Sequence, residues 1–174
     1  MGARQTAVTK EFTPEELQAE ALAFRDAFKT VLLATADSNA APDASYAPCV
    51  IDDDGRIAVF ISELAAHTRN LRINPRASLM FIADESASRN LFARRRLILS
   101  AAAETLPRSH AQWAPLMEKM RDRHGNTIDL LMQLPDFQLF RFTTLEGTWV
   151  RGFGQAFPVL NDRLEISAER PTSG

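Results

Sequence analysis

Apolar and polar residues alternate along much of this chain, which predicts short strands separated by turns, with helices inserted between some of them. Leu17, Ala21 and Phe24 recur at helical spacing. They follow Thr13-Pro14-Glu15-Glu16, which is typical of a capped helix start and predicts a helix at 14–28. The remaining pattern predicts strands at 30–36, 45–51, 57–61, 77–83, 96–104, 137–143 and 148–153, and helices at 63–73, within 107–124 and at 127–132.

Turn and cap residues separate these elements. Asp52-Asp53-Asp54-Gly55 is typical of a hairpin turn, because Asp-Gly tolerates positive φ. Pro48 has no N–H to donate, so its strand is expected to run at an edge or to carry a bulge. Four residues are predicted to bound or bend the later helices: Ser62 and Ser109 as N-caps, Gly125 as a helix end, and Pro115 as a kink or a first-turn residue.

The element order predicts a mainly β fold, a small closed β-barrel with α-helices. The strands within 30–61 follow one another without crossover helices, which disfavours a parallel sheet. We expect a flexible leader at 1–12, one domain at 13–157 and a polar C-terminal tail at 158–174. Short barrels fill their interior with side chains, so a larger ligand must bind at a barrel mouth or between subunits. A dimer is therefore expected.

Composition and charge narrow the function classes. The 174 residues suit one domain with a sizeable core, and the net charge of −2 gives no general attraction to nucleic acid or to anionic membranes. Cys49 is the only cysteine, which excludes an internal disulfide and a cysteine-rich metal site. The sequence has no signal-peptide pattern and no apolar run of membrane-spanning length. A cytoplasmic location is expected.

Polar residues around the start of the predicted helix 63–73 are the first candidate site. An exposed helix N-terminus with hydroxyls and a guanidinium suits a phosphate or a carboxylate, although the same residues can simply cap the helix. The three histidines of the chain are scattered and can equally be surface or capping residues. The candidate cluster comprises Ser62, His67, Thr68 and Arg69.

A second set of candidates lies on the strands. The arginine run 94–96 precedes a strand, so Arg96 can face inward, or the whole run can be a solvated edge of the sheet. Tyr46 and Trp149 could stack on a flat ring, although buried aromatic residues more often belong to the core.

The order of four segments (31–37, Pro42, 55–62 and 74–81) resembles the pyridoxamine 5'-phosphate oxidase-like FMN-binding split barrels. The later segments, Leu134-Pro-Asp-Phe-Gln-Leu-Phe-Arg-Phe142 and 147–156, are more similar to the haem-iron utilisation (HugZ/HutZ-like) branch of that superfamily. The resemblance implies a homodimeric split β-barrel with two cofactor sites at the subunit interface.

The resemblance also shows where this chain departs from the flavin enzymes. Ser45 and Val50 stand where a basic pair would hold the FMN phosphate, and the hydroxyl of Ser62 is kept. A further Ser-Arg-Lys grip is replaced by Ala66, His67 and Thr68. Because phosphate binding depends on charge-assisted hydrogen bonds, these changes are expected to weaken FMN binding sharply.

The haem branch implies other roles. Its members place an axial histidine in a C-terminal segment, but residues 157–174 contain none. The iron would then be met by another residue, by water, or by His67 or His124 from either subunit. Arg96 could contact a flavin edge, a haem propionate or oxygen near the iron, and Asp136 matches an acid near the site or ends a turn. The predicted cofactor-binding set is Ser45, Tyr46, Ser62, His67, Thr68, Arg69, Arg96 and Trp149, with Arg96 and Asp136 as candidate catalytic residues.

The resulting hypothesis is a dimeric split barrel that binds haem or FMN and acts in haem utilisation or a related redox reaction. If it is an enzyme, it would be a flavin- or haem-dependent oxidoreductase. The alternative is a non-catalytic haem carrier or storage protein, or a barrel that has lost its cofactor. Pyridoxamine-phosphate oxidation itself is disfavoured, because that substrate also needs basic residues for its phosphate.

Overall fold

The computed structural model describes residues 12–167, and all strand pairings in it are antiparallel. The helices are α1 (Pro14–Asp26), α2 (Ala66–Ile73), α3 (Trp113–His124) and α4 (Thr127–Leu131). The strands are β1 (Thr30–Ala36), β2 (Pro42–Ile51), β3 (Ile57–Ser62), β4 (Arg76–Ile82), β5 (Arg96–Leu106), β6 (Phe137–Gly152), β7 (Gln155–Leu160) and β8 (Glu165–Ile166).

One sheet contains all eight strands in the order β3-β2-β1-β4-β5-β6-β7-β8, and an additional β3–β6 pairing closes the first six into a barrel. The mainly β fold with a closed barrel is therefore confirmed. One apolar cluster fills the barrel, and a second lies where α3 and α4 cover β2, β3 and β6. None of the helices within residues 12–167 has the length and apolar character needed to cross a bilayer.

Helix α1 begins as the sequence predicts. The Thr13 hydroxyl accepts a hydrogen bond from the Glu16 amide at 3.2 Å, and the Glu16 carboxylate accepts one from the Thr13 amide at 3.0 Å. This reciprocal capping satisfies two amides at the helix start. At the other end of the helix, buried Arg25 donates to the carbonyl oxygens of Gly55 and Asp162, each at 3.0 Å, and so fixes α1 to the barrel.

The strands predicted at 137–143 and 148–153 form a single strand in the structure. β6 runs without interruption over residues 137–152, where the sequence predicts separate strands on either side of the segment 144–147. Gly147 lies inside β6 and not in a turn. Its lack of a side chain allows β5 to pack closely against it. A Cβ at this position would lie 2.3 Å from the Ile98 carbonyl oxygen and 2.7 Å from a methyl carbon of Leu99. Glycine therefore keeps β5 and β6 in register at this point.

The predicted polar tail contains strands instead. β7 continues to Leu160, and β8 pairs with it through Val159↔Ile166 and Leu160↔Glu165. Val159 and Leu164 are fully buried, so these two apolar residues hold the segment against the barrel. The prediction of a tail is therefore wrong for residues 158–167, while 168–174 and residues 1–11 of the predicted leader lie outside the described residues.

The later helices differ from the sequence pattern at their starts. Neither α2 nor α3 has a side-chain cap, since Ala65 and Gln112 occupy the N-cap positions instead of the predicted Ser62 and Ser109. Pro115 is the third residue of α3, which confirms its place in a first turn. Gly125, with φ of 79°, ends the helix as predicted.

Strand β2, which contains Pro48, is unpaired on one side over residues 42–48 among the described strands. β3 pairs only with residues 49–51 of β2, so among the described strands residues 42–48 have β1 as their sole neighbour. The Cys49 amide donates to the Lys29 carbonyl oxygen on the β1 side, so the nitrogen of Pro48 faces the open side. The expectation of an edge at Pro48 is confirmed. We call residues 42–48 the open edge of β2.

Candidate functional site

A serine and a histidine meet where α2 covers the end of the barrel. Ser45 lies on the open edge of β2, and His67 lies in the first turn of α2, 22 residues later. The Ser45 Oγ and the His67 Nδ1 are 2.9 Å apart, and both side chains are half-buried. No described residue bonds to Nε2 of His67. A ring held at one nitrogen with the other left available is the arrangement in which histidine binds metals.

An acid that the sequence interpretation missed stands beside this pair. Asp43 precedes Ser45 by two residues on β2, so both side chains point to the same face of the strand. One carboxylate oxygen of Asp43, Oδ2, is buried and accepts no hydrogen bond from any described residue. Burial lowers the pKa of His67 below its ordinary value, and the Asp43 carboxylate opposes this shift more weakly. His67 is therefore a neutral imidazole at neutral pH, as metal binding requires.

This pKa shift predicts a pH dependence of stability. As the pH falls through about 6.5, histidine in the unfolded chain takes up a proton, while folded His67 stays neutral until a lower pH. The unfolded state then binds more protons, so the free energy of unfolding decreases as the pH falls. We expect the urea midpoint of the ligand-free protein to drop more between about pH 6.5 and 5 than that of His67→Gln. Parallel profiles for the two proteins would contradict the assignment.

The hydroxyl expected to cap α2 has another partner. Ser62 ends β3, and its Oγ donates to the carboxylate of Asp136 at 2.5 Å and accepts from the Leu64 amide. The Glu63 amide donates to the backbone oxygen of Asp136 at 2.8 Å. Together these bonds fix the loop 63–65, which carries the chain into α2. Ser62 and Asp136 thus position the loop that leads into the start of α2.

The other two polar residues at this helix start do not present their groups to a ligand site. Thr68 is fully buried, and its hydroxyl bonds to no described residue. Arg69 is exposed, but its guanidinium turns back and donates to the carbonyl oxygens of Glu63 and Leu64, the latter at 2.6 Å. The predicted phosphate grip of Ser62, Thr68 and Arg69 is therefore not assembled in the structure.

Tyr46 and Arg96 lie on the outer face of the sheet, opposite to the barrel interior. Tyr46 is 66% exposed, and Arg96 is half-buried with Nη1 donating to the Arg94 carbonyl oxygen at 2.9 Å. No described carboxylate forms an ion pair with Arg96, so its remaining donors are available to an anion. The expectation that Arg96 faces the barrel interior is not supported, because Leu97 takes that direction.

Two predicted site residues belong to the framework. Trp149 is fully buried, with its ring centroid 4.8 Å from that of Phe24, so it packs in the core and does not offer a face to a cofactor. His124, at the end of α3, lies 3.0 Å through Nε2 from the Cys49 carbonyl oxygen. Since a carbonyl only accepts, Nε2 carries the proton and is unavailable as a metal ligand.

The residues present do not fit the FMN phosphate. At the positions where the family resemblance places its grip, Val50 is apolar and buried, Ser45 is bonded to His67, and Thr68 is buried. None of these side chains is cationic, so they lack the charged donors that hold a phosphate dianion most strongly. Haem fits better, because a neutral, oriented imidazole is a common axial ligand of haem iron. Among the described residues, no three His, Cys, Asp or Glu side chains converge as a separate metal cluster.

The closed barrel of β1–β6, with an open edge on β2 and a helix over the barrel end, defines a split-barrel protein. Residues 17–151 match the family model for pyridoxamine 5'-phosphate oxidase. The chain belongs to this family, in the branch that contains HutZ.

The HutZ protein of this branch is named for haem. Over 157 residues the chain is 43% identical to the haem oxygenase HutZ of Vibrio cholerae, covering 90% of this chain and 89% of the relative. The crystal structure of HutZ, described as the haem storage protein of that organism, matches with a TM-score of 0.68 and 44% identity over 72% of this chain and 88% of the other. Campylobacter jejuni ChuZ matches with a TM-score of 0.80 and 27% identity over 95% of this chain and 68% of the other.

Proposed function

We propose that this protein binds haem at the interface of a homodimer and acts in haem utilisation. The 43% identity to HutZ over nearly the whole of both chains carries this proposal. The Ser45–His67 pair supports it from the structure, since it supplies one oriented nitrogen in a partly buried setting. If haem binds, His67 would hold its iron, and the iron would supply redox chemistry with dioxygen.

Different residues of the chain would take different roles in haem binding. The open edge of β2 and the first turn of α2 hold the His67 ring, with Ser45 fixing which nitrogen is free. Arg96 contributes a guanidinium on the outer face of the sheet that pairs with no described carboxylate, which suits a propionate carboxylate. Asp136 acts indirectly, because its carboxylate is bonded to Ser62 and positions the loop before α2.

A row of side chains on the outer face supports the dimer. Cross-strand register places five residues side by side over five strands, and all point away from the barrel interior. Leu32 and Tyr46 in this row are 38% and 66% exposed, and adjacent exposed apolar side chains on one face are typical of an interaction site. A second copy of the chain would cover these side chains and the nearby Arg96. The outer row comprises Tyr46, Leu32, Met80, Ile98 and Thr148.

We therefore expect Leu32→Asp to dissociate the dimer. A carboxylate at the centre of the outer row would lose its hydration in the interface, which costs several kcal/mol. Light scattering after gel filtration should give twice the 19.4 kDa chain mass for the natural protein and the single mass for the variant. Leu130→Asp is the control, because Leu130 is 65% exposed on α4, and α4 packs with α3 over the second apolar cluster. A monomeric natural protein, or a dimeric Leu32→Asp variant, would contradict the interface.

Absorption titration with hemin tests the proposed function. We expect a saturable Soret band at one haem per chain, with a dissociation constant in the micromolar range or below, and no comparable binding of FMN. A flavin spectrum that survives gel filtration, without a hemin complex, would overturn the proposal in favour of a flavin protein.

A carrier or storage function is the second candidate. It is favoured by residues 157–174, which contain no histidine where the resemblance places the axial ligand. Aerobic incubation of the hemin complex with ascorbate distinguishes haem breakdown from a carrier or storage function. Loss of the Soret band with release of iron supports haem breakdown, and a persistent band that transfers to apomyoglobin supports a carrier. The cytoplasmic location and the lack of a nucleic-acid partner remain predictions from the sequence.

A further inference from the structure

A cleft that is separate from the candidate haem site opens between the end of β5, the start of β6 and the start of α3. Its volume is about 400 Å³, which is in the range of small-molecule sites. None of its described lining residues belongs to the predicted cofactor set. The side chains that matter for binding are Arg72, Arg108, Trp113, Leu106, Gln138 and Leu139. We call this the α3 cleft.

The charged side chains that line the α3 cleft are positive. Its described lining includes two arginines and no aspartate or glutamate. Glu63 lies close by but is already engaged, because Arg72 donates to its carboxylate at 2.8 Å and the Gln138 amide contacts the same oxygen. Each guanidinium has five N–H groups, so both arginines keep donors for a further anion.

One of these arginines is held in place before any ligand arrives. The guanidinium carbon of Arg108 lies 5.2 Å from the ring centroid of Trp113, and its Nη2 donates to the Met132 carbonyl oxygen at 2.7 Å. A stacked, hydrogen-bonded guanidinium loses little freedom on binding a carboxylate. This arrangement is more than a solvated surface charge, since two separate contacts fix it.

The wall beside the arginines is apolar. The rings of Trp113 and Phe137 are half-buried and offer hydrocarbon surface to the cleft, and the buried residues Leu106 and Leu139 also line it. An apolar wall with cations at one side matches a ligand that has a flat hydrocarbon body and one negative end.

We propose that the α3 cleft binds a small aromatic carboxylate, with Arg108 and Arg72 contacting the carboxylate and Trp113 packing against the ring. This site goes beyond the proposed haem function and does not depend on it.

The two tryptophans of the chain provide a built-in test. Trp113 lines the cleft, whereas Trp149 is fully buried in the barrel. In a nitrogen–proton NMR correlation spectrum each indole gives one signal, and Trp113→Tyr assigns them. We expect naphthoate to shift the Trp113 signal in a saturable manner at submillimolar concentration and to leave the Trp149 signal in place. Naphthylmethanol, which has the same ring without the charge, is expected to bind at least about 10-fold more weakly.

Variants then test the arginines. Arg108→Gln is expected to weaken naphthoate binding by about 10-fold or more, and Arg72→Gln to have a similar effect. Arg121→Gln is the matched control, because this exposed arginine on α3 pairs with Asp129 outside the cleft. Circular dichroism confirms that each variant is folded. An unshifted Trp113 signal at millimolar naphthoate, equal binding of the alcohol, or unchanged binding by Arg108→Gln and Arg72→Gln would overturn the proposal.

Discussion

Replacing His67 by alanine should abolish the histidine-ligated spectrum of the hemin complex. Of the two candidate iron ligands, His67 is the one whose Nε2 bonds to no described residue, since it is the His67 Nδ1 that lies 2.9 Å from the Ser45 hydroxyl. Loss of residues that merely orient a metal ligand weakens metal sites by roughly 10- to 100-fold, so loss of the ligand itself should cost at least that much. Hemin titration of His67→Ala, followed at the Soret band, measures both the affinity and the change in ligation.

Two variants make this result specific. His124→Ala should bind hemin like the natural protein, because its Nε2 is committed to the Cys49 carbonyl oxygen. Ser45→Ala keeps the ligand but removes its orienting partner, and should fall between the other two with a loss of about 10-fold. If His67→Ala retains the natural spectrum and affinity, then another group ligates the iron, while the proposal of haem binding itself would stand.

Replacing Trp149 by alanine should lower the free energy of unfolding by about 3–5 kcal/mol. The ring is fully buried inside the barrel and packs on Phe24 of α1, so its removal leaves a cavity that the sheet cannot close. Arg95 also stacks over this ring, with 5.4 Å between the guanidinium carbon and the centroid. Urea denaturation followed by circular dichroism measures the effect, at a temperature where the variant is still folded.

Trp113→Ala is the control for this substitution, because Trp113 is half-buried at the α3 cleft and should give a clearly smaller loss. Folded Trp149→Ala should still bind hemin. Unchanged stability together with lost hemin binding would reverse the assignment and restore the stacking role that the sequence suggested for this residue.

Elements specified by local contacts could be predicted from the sequence. The capping box of Thr13 and Glu16 spans three residues, and it placed the start of α1 correctly. The end of α3 at Gly125 depends on backbone conformation at one residue. The starts of α2 and α3 could not be predicted in this way. The Ser62 hydroxyl donates a hydrogen bond to Asp136, 74 residues away, and does not cap α2. No local sequence pattern predicts this partner.

The site was predictable only in part for the same reason. His67 and Ser45 were named individually, but their contact depends on how α2 folds over the open edge of β2. Asp43 was missed because the turn signals at 37–42 placed the start of β2 at residue 45, whereas the strand begins at Pro42. Alternation of side chains along β2 would have paired Asp43 with Ser45 once that start was known. The burial of Trp149 depends on packing against α1, which strand patterns do not encode.

Native mass spectrometry of the protein incubated with both hemin and FMN tests the central claim most directly. We predict a dimer, at twice the 19.4 kDa chain mass, that carries two haem groups and no FMN. A dimer loaded with FMN, or a chain that leaves both ligands in solution, would contradict the account of this barrel as a haem-binding protein.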